Sequence, residues 1–370
     1  MPNETFNITV IGAGHGGKAM AAAIANRGFP VTLYNRTYSH IEAIDLGQGI
    51  ALLTEEGREI FAPLEEVTSN LESALAEAKL IMVVIPASGH RSVALETAPY
   101  LRDDQILVLN PGRTGGALEF NQGLIEGNCA AKPTICETET FLFASRSVGP
   151  AEARIFRTKF SVPLAALPAT RTEHAMETVK QVFPQFIPAE NILHTSLNNM
   201  GAIFHPALTL LNASWIESTL GDFQFYMEGV TPATAKVLDF LDRERVTVAS
   251  ALGIQARTAR DWLYRAYAAE GDTLFEAMRA NPGYKGITAP NRLQHRYIFE
   301  DVPCSLVPIV ELGQQYGVET PTMCLLVNLA NIIHGVDYWQ RGRTLARLGV
   351  AGMSVRQLHR YVETGERPGG

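Results

Sequence analysis

"VIGAGHGGKAMAAAIANRG", residues 10–28, passes from a β-branched run through a glycine-rich turn into an alanine-rich stretch. Gly12, Gly14 and Gly17 stand in the spacing G-x-G-x-x-G. Between a strand and a helix each has its own task. Gly12 makes the tight turn, Gly14 lets a pyrophosphate approach the backbone, and Gly17 lets helix and strand pack closely. The helix that opens there offers unpaired N–H groups and a positive dipole end to phosphates. The glycine pattern alone is weak evidence. Apolar runs on either side, "NITVIG" (7–12) and "PVTLYN" (30–35), supply the strand–turn–helix–strand context that supports it. The stretch therefore reads as a dinucleotide-binding unit, with His15 either touching the pyrophosphate or facing solvent.

At the end of the second strand, where an acid would bind the ribose hydroxyls of NAD, the sequence has Asn35 and then Arg36. Asn35 removes the charge that would repel a 2′-phosphate, and Arg36 offers a planar fork of donors to one. NADP is the expected cofactor and NAD the alternative, in which Arg36 is a solvated loop residue.

Further along, "LIMVVIP" (80–86), "QILVLNP" (105–111) and "PTICETETF" (133–141) are strand-like, and "LESALAEA" is helix-like. Nearly unbroken apolar strands alternating with helices predict a parallel sheet covered on both faces. Pro86 and Ala87 close a strand at the crevice where such sheets bind ligands, and the turn "NPGRTGG" opens a helix there. "KFSVPLAALPA" reads as a strand and "TEHAMETVKQVF" as a helix within mixed text from 155 to 188. Beyond about 195 the patterns are helical, broken by turns such as "NPGYKG". The expected architecture is α/β: a Rossmann-type doubly wound domain over 1–188 and an all-helical domain over 189–370.

Composition sets the outer bounds. A chain of 370 residues has room for two cores. A net charge of −7 with both signs interspersed gives no reason to expect nucleic acid or an anionic membrane as partner. Cys129, Cys136, Cys304 and Cys324 form no C-x-x-C pair, so structural zinc is not expected and reduced thiols suit a cytoplasmic protein. The start, "MPNETFNITVIG", has no basic segment ahead of an apolar one and reads as a strand, not a signal peptide. No apolar run reaches the roughly 18 residues of a membrane span.

"HTSLNNMGAIFHPALTLLNA" (194–213), "FQFYMEGVTP" (223–232), "NRLQHRYIFEDVP" (291–303) and "NPGRTGGALEF" (110–120) together resemble the opine dehydrogenases of the octopine and carboxyethyl-norvaline type. The likeness runs through essentially the whole chain in order. Its clear departure is Asn35-Arg36, because NAD-using members carry an acid there. The resemblance implies two domains, the second similar to that of 6-phosphogluconate dehydrogenase. It implies condensation of an amino acid with a 2-oxo acid, usually pyruvate, and reduction of the imine by a nicotinamide cofactor. The product is an N-(1-carboxyalkyl) amino acid.

On residue type alone, a lone histidine in an apolar helix such as "MGAIFHPALTLL" is more often a core residue than a catalyst. The His205-Pro206 context matches the family's catalytic histidine, which implies that His205 moves protons. The family's Arg-x-x-x-x-Asp spacing falls on Arg296 and Asp301. Asp301 is then the partner of His205, and Arg296 binds the 2-oxo acid carboxylate. A plain i, i+4 ion pair between Arg296 and Glu300 is the competing reading. Asn199, about two helical turns before His205, is the better family match of the Asn198-Asn199 pair for contact with nicotinamide or substrate. Tyr226 and Tyr284 are candidates for the amino-acid pocket. The rivals are a simple 2-oxo acid or ketopantoate-like reductase and a non-catalytic NADP-binding protein. Such reductases generally use a lysine, and after residue 190 only Lys236 and Lys285 occur, neither in an appropriate motif. An apolar helical domain makes a homodimer the expected assembly.

Overall fold

The computed structural model describes residues 5–368, so residues 1–4 of the quoted start, and 369–370, lie outside it. The described chain forms two compact units. One comprises residues 5–112, 116–195 and 359–368, the other 113–115 and 196–358. The chain thus passes from one unit to the other after Thr195, and its last segment, from His359, returns to the first.

The first unit contains β1 (Ile8–Ile11), β2 (Val31–Tyr34), β3 (Gly49–Leu53), β4 (Glu59–Pro63), β5 (Glu66–Thr68) and β6 (Leu80–Val83). It continues with β7 (Ile106–Leu109), β8 (Thr134–Thr138), β9 (Phe143–Gly149), β10 (Glu152–Thr158), β11 (Val162–Leu167) and β12 (Phe186–Pro188). Eight strands form one sheet in the order β12-β11-β8-β7-β6-β1-β2-β5. All neighbours are parallel except β11 on β8. β1, β6, β7 and β8 are buried along their whole length, and the first three accordingly read as nearly unbroken apolar runs. From β1 the chain runs outward to β2 on one side and later to β6 on the other. That reversal is the switch point, and the ends of β1 and β6 border the crevice.

A second sheet, β4-β3-β10-β9, was not expected. Its strands alternate exposed and covered residues and carry Arg146, Glu152, Arg154 and Arg157. Half solvated and carrying this charge, β9 and β10 give no apolar run in the text. The helix His15–Ala25 packs against this sheet as well as against β1 and β2. Its buried Lys18 donates from Nζ to Ser147 Oγ and the Gly149 carbonyl, both at 3.1 Å.

The second unit is helical, and among the described residues its strand pairing is limited to an isolated bridge between Gln224 and Thr288. The helix Pro232–Ala251 contacts Gly201–Leu211, Val307–Tyr316 and Pro321–His334. It starts cleanly because Thr231 and Thr234 form a capping box with Pro232 in the first turn. Two of its partners stop on left-handed glycines, Gly317 and Gly335. One sequence expectation needs correction. The helix Ile192–Leu197 ends and a new one begins at Gly201, so residues 198–200 form a break and not two turns leading up to His205.

Candidate active site

In the first unit the glycine turn is fixed by close approach. Gly12 has φ +107°, and a Cβ on it would stand 2.5 Å from the Val84 carbonyl oxygen. A Cβ on Gly17 would overlap the Gly12 carbonyl, so only glycine lets the helix sit this near the turn. Gly14, at the N-cap, has nothing within 4 Å of its Cβ position. Two glycines therefore press turn, sheet and helix together while the third leaves open space before the helix N-terminus. That cradle fits a dinucleotide pyrophosphate.

Asn35 braces the same turn. Its Oδ1 accepts from the Ala13 N–H at 3.3 Å, and its Nδ2 donates to the Thr37 carbonyl at 2.9 Å. A carboxylate would make the first bond and lose the second. Arg36, next to it, is exposed. His15 is exposed too, with Nδ1 accepting from the Ser147 N–H of β9 at 2.9 Å. Pro86 does not end a strand as expected: β6 stops at Val83, and Pro86 leads the short turn Ala87–Gly89.

In the second unit, the helix Gly201–Leu211 presents His205. Its Nδ1 lies 2.8 Å from Oδ2 of Asp301, whose side chain is fully buried, while the His205 side chain is 20 % exposed. With Nδ1 held by the carboxylate, Nε2 is the nitrogen left for proton exchange. Tyr297 stacks on the imidazole with ring centroids 4.1 Å apart. Burial alone would raise the Asp301 carboxyl, but Arg113 first and His205 second outweigh it and hold the group below its ordinary value.

Asp301 and Glu300 precede a stretch of π-helix, Val302–Leu306, the irregular geometry that often marks functional sites. Glu300 is buried and doubly engaged. It accepts from Arg296 at 2.9 and 3.2 Å and from Arg113 Nε at 3.1 Å. The i, i+4 pair between Arg296 and Glu300 is thus present, yet the Arg296 side chain remains 46 % exposed. Asn199 is buried, and its amide is committed within this cluster: Oδ1 to Arg113 and the Gly201 N–H, Nδ2 to Ser305. The amide expected to contact nicotinamide or substrate is therefore also bound to residues of the cluster.

Tyr226 and Tyr284 stack on each other at 4.1 Å, both buried. Burial pushes both phenols well above their ordinary range, so they remain protonated donors. Tyr226 continues through Phe225 to Tyr297, giving one aromatic series that ends on His205. His295, also against Tyr297, is pushed down to about 4 by burial first and by Arg296 and His205 next, so it is neutral at pH 7.

Sequence reading missed Arg113, which it quoted only as part of a turn, and assigned no role to Tyr297, Ser305 or Lys18. Nothing local signals that Arg113 meets residues 187 positions away. Among the described residues no cluster of side chains could hold a metal ion, and no helix is long and apolar enough to cross a membrane.

A glycine cradle on a doubly wound sheet, with a histidine–carboxylate pair carried by a helical unit, defines a dinucleotide-dependent dehydrogenase. Comparison with known proteins is specific. The alpha-helical domain of NAD/NADP octopine/nopaline dehydrogenases matches residues 188–334, and the N-terminus of NAD-dependent glycerol-3-phosphate dehydrogenase matches residues 7–111. An opine dehydrogenase of Arthrobacter sp. (strain 1C) is 37% identical over 97% of this chain and 99% of its own. A solved octopine dehydrogenase with NADH and L-arginine shares the fold at a TM-score of 0.81 and 21% identity, covering 98% of this chain and 99% of that one. Yersinopine dehydrogenase with NADP+ does so at 0.70 and 16%, covering 97% and 98%. The chain belongs to the opine dehydrogenase family and is an NAD(P)-dependent oxidoreductase.

Proposed function

We propose that the protein catalyses the reductive condensation of an amino acid with a 2-oxo acid such as pyruvate. The amine adds to the carbonyl, water leaves, and the imine is reduced to a secondary amine between two carboxylates. The nicotinamide cofactor supplies the hydride. Everything else falls to this chain's side chains. His205 Nε2 exchanges protons as the carbonyl oxygen becomes water and as the reduced nitrogen becomes an amine. Asp301 fixes the imidazole's tautomer and balances its charge. Arg296 takes the 2-oxo acid carboxylate, with Glu300 as the anion it leaves in part to do so. Tyr226 and Tyr284 line the amino-acid side. The observation that carries the reading is the 2.8 Å contact between His205 and a fully buried carboxylate. A lysine-dependent reductase is disfavoured, since Lys236 and Lys285 are the only lysines of the second unit.

NADP is the preferred cofactor in this reading. Asn35 places no charge at the adenosine ribose, and exposed Arg36 stands ready for a phosphate. A homodimer is part of the same reading, supported by Leu325 and Ile332, which are 65% and 79% exposed on the helix Pro321–His334; sedimentation tests it. The activity is tested by NADPH oxidation with pyruvate alone, with pyruvate plus amino acids, and with neither. Dependence on both substrates is expected, and equal rates without amine would replace this reading by the simple reductase.

A further inference from the structure

The helical unit takes one short segment, Arg113–Gly115, from the first half of the sequence. Arg113 sits there in a left-handed backbone, φ 61°, a conformation uncommon outside glycine. Its side chain is only 8% exposed and reaches Asp301 Oδ1 and Glu300 Oε1, each at 3.1 Å. Asn199 Oδ1 accepts from Nη1 at 3.2 Å. A Cβ on Gly201 would overlap that same Nη1, so a glycine leaves the gap that the guanidinium fills. A strained backbone, a missing side chain and a committed amide all serve one cation.

Each carboxylate that Arg113 meets has a second partner. Asp301 uses its other oxygen for His205, and Glu300 holds Arg296. Two guanidinium groups and two carboxylates thus face one another beside the imidazole of His205. The other groups facing this cluster are His295 and Tyr297 beside the imidazole, Tyr226 towards Asp301 and Cys304 towards Arg113.

We infer that Arg113 is the positioning residue of this site, keeping Asp301 ionised and aimed at His205 while keeping Glu300 aimed at Arg296. One side chain then sets both the proton carrier and the carboxylate clamp. The inference rests on the function proposed above. Without Arg113, the His205–Asp301 pair holds its proton more tightly. Glu300, left with Arg296 alone, closes on it and competes harder with the 2-oxo acid.

The test uses Arg113→Met, Arg113→Lys and Gly201→Ala, with the imidazole titration followed by NMR on each variant saturated with NADP+ and KM measured for both substrates by NADPH oxidation. Removing a cation in contact with the carboxylate should move the pair's titration upward by about one pH unit or more in Arg113→Met. The pyruvate KM should rise roughly tenfold or more while the amino-acid KM stays within about twofold, because a bidentate clamp has been drawn away. Arg113→Lys keeps the charge without the fork and should shift both in the same direction by less. Gly201→Ala, which displaces the guanidinium without removing it, should do likewise and stands in if Arg113→Met fails to fold. An unmoved titration with an unchanged pyruvate KM in the folded variants overturns the inference, as does an equal rise in both KM values. The titration needs no turnover. If it shifts in a protein that forms no imine, the function fails and the positioning role stands, whereas an active enzyme with an unmoved titration gives the reverse.

Discussion

His205 gives one nitrogen to Asp301, and in the proposed reaction the other exchanges protons; neither His295 nor His334 is placed to replace it. His295 is held neutral near the same ring, and His334 spends both nitrogens on Tyr338 and the Leu293 carbonyl. Substituting His205→Asn should therefore lower turnover by about 10²–10⁴-fold, the usual worth of a general acid–base. Cofactor binding should survive, because the glycine cradle lies in the other unit; fluorescence titration with NADPH checks this. Wild-type turnover in the variant would return His205 to the status of a core residue. Arg36 makes a separate claim. Arg36→Ala should raise the NADPH Michaelis constant by an amount worth about 1.5–3 kcal/mol, the value of a charge-assisted hydrogen bond. NADH should be nearly unaffected, and an equal effect on both cofactors would remove the 2′-phosphate from the account.

The turn between β1 and its helix separates packing from binding. Gly17→Ala drives a methyl into the Gly12 carbonyl, and overpacking at a fixed contact should cost about 1–3 kcal/mol, read as a lower urea midpoint. Gly14→Ala adds its methyl to open space, so the midpoint should hold while cofactor affinity falls. Matching losses of stability in both variants would contradict this division. The short helix Arg296–Phe299 carries another consequence. It is capped by His295, whose Nδ1 accepts from the Tyr297 N–H and cannot do so once protonated. The imidazole is depressed from 6.5 to about 4, so its contribution to stability is complete above the unfolded value and is lost as pH falls towards the folded one. His295→Gln should flatten the decline in urea midpoint between about pH 6.5 and pH 4, the window set by that depression; an unchanged slope counts against the cap. Elements of this kind differ in how far the sequence announces them. β1, β6 and β7 were legible because burial on both faces leaves them almost wholly apolar. β9 and β10 were not, since a solvated sheet spends half its positions on charge.

Across the whole molecule, legibility follows sequence distance. The glycine spacing and the Asn35-Arg36 pair are local patterns and can be read directly, whereas the choice of Arg296 and Asp301 among their neighbours came from the family resemblance. Pairing of His205 with Asp301 was an inference from family resemblance, since the contact spans 96 positions. Arg113 reaches 187 positions to Glu300 from a turn whose own chemistry suggested only a helix start. The Arg296–Glu300 ion pair, foreseen as the competing reading, is part of the same cluster as the His205–Asp301 pair. A purely structural ion pair and a substrate clamp are not exclusive when a second cation, Arg113, holds the carboxylate. Joining of two substrates, as opposed to reduction of one, is decided by the identity of the product. The enzyme would be incubated with NADPH, pyruvate and a panel of amino acids, and the products identified by mass. The expected product has the mass of one amino acid plus pyruvate, less water and with two hydrogens added, and pyruvate is not reduced when amine is omitted. Lactate as the only product, formed at the same rate with or without amino acid, would contradict it.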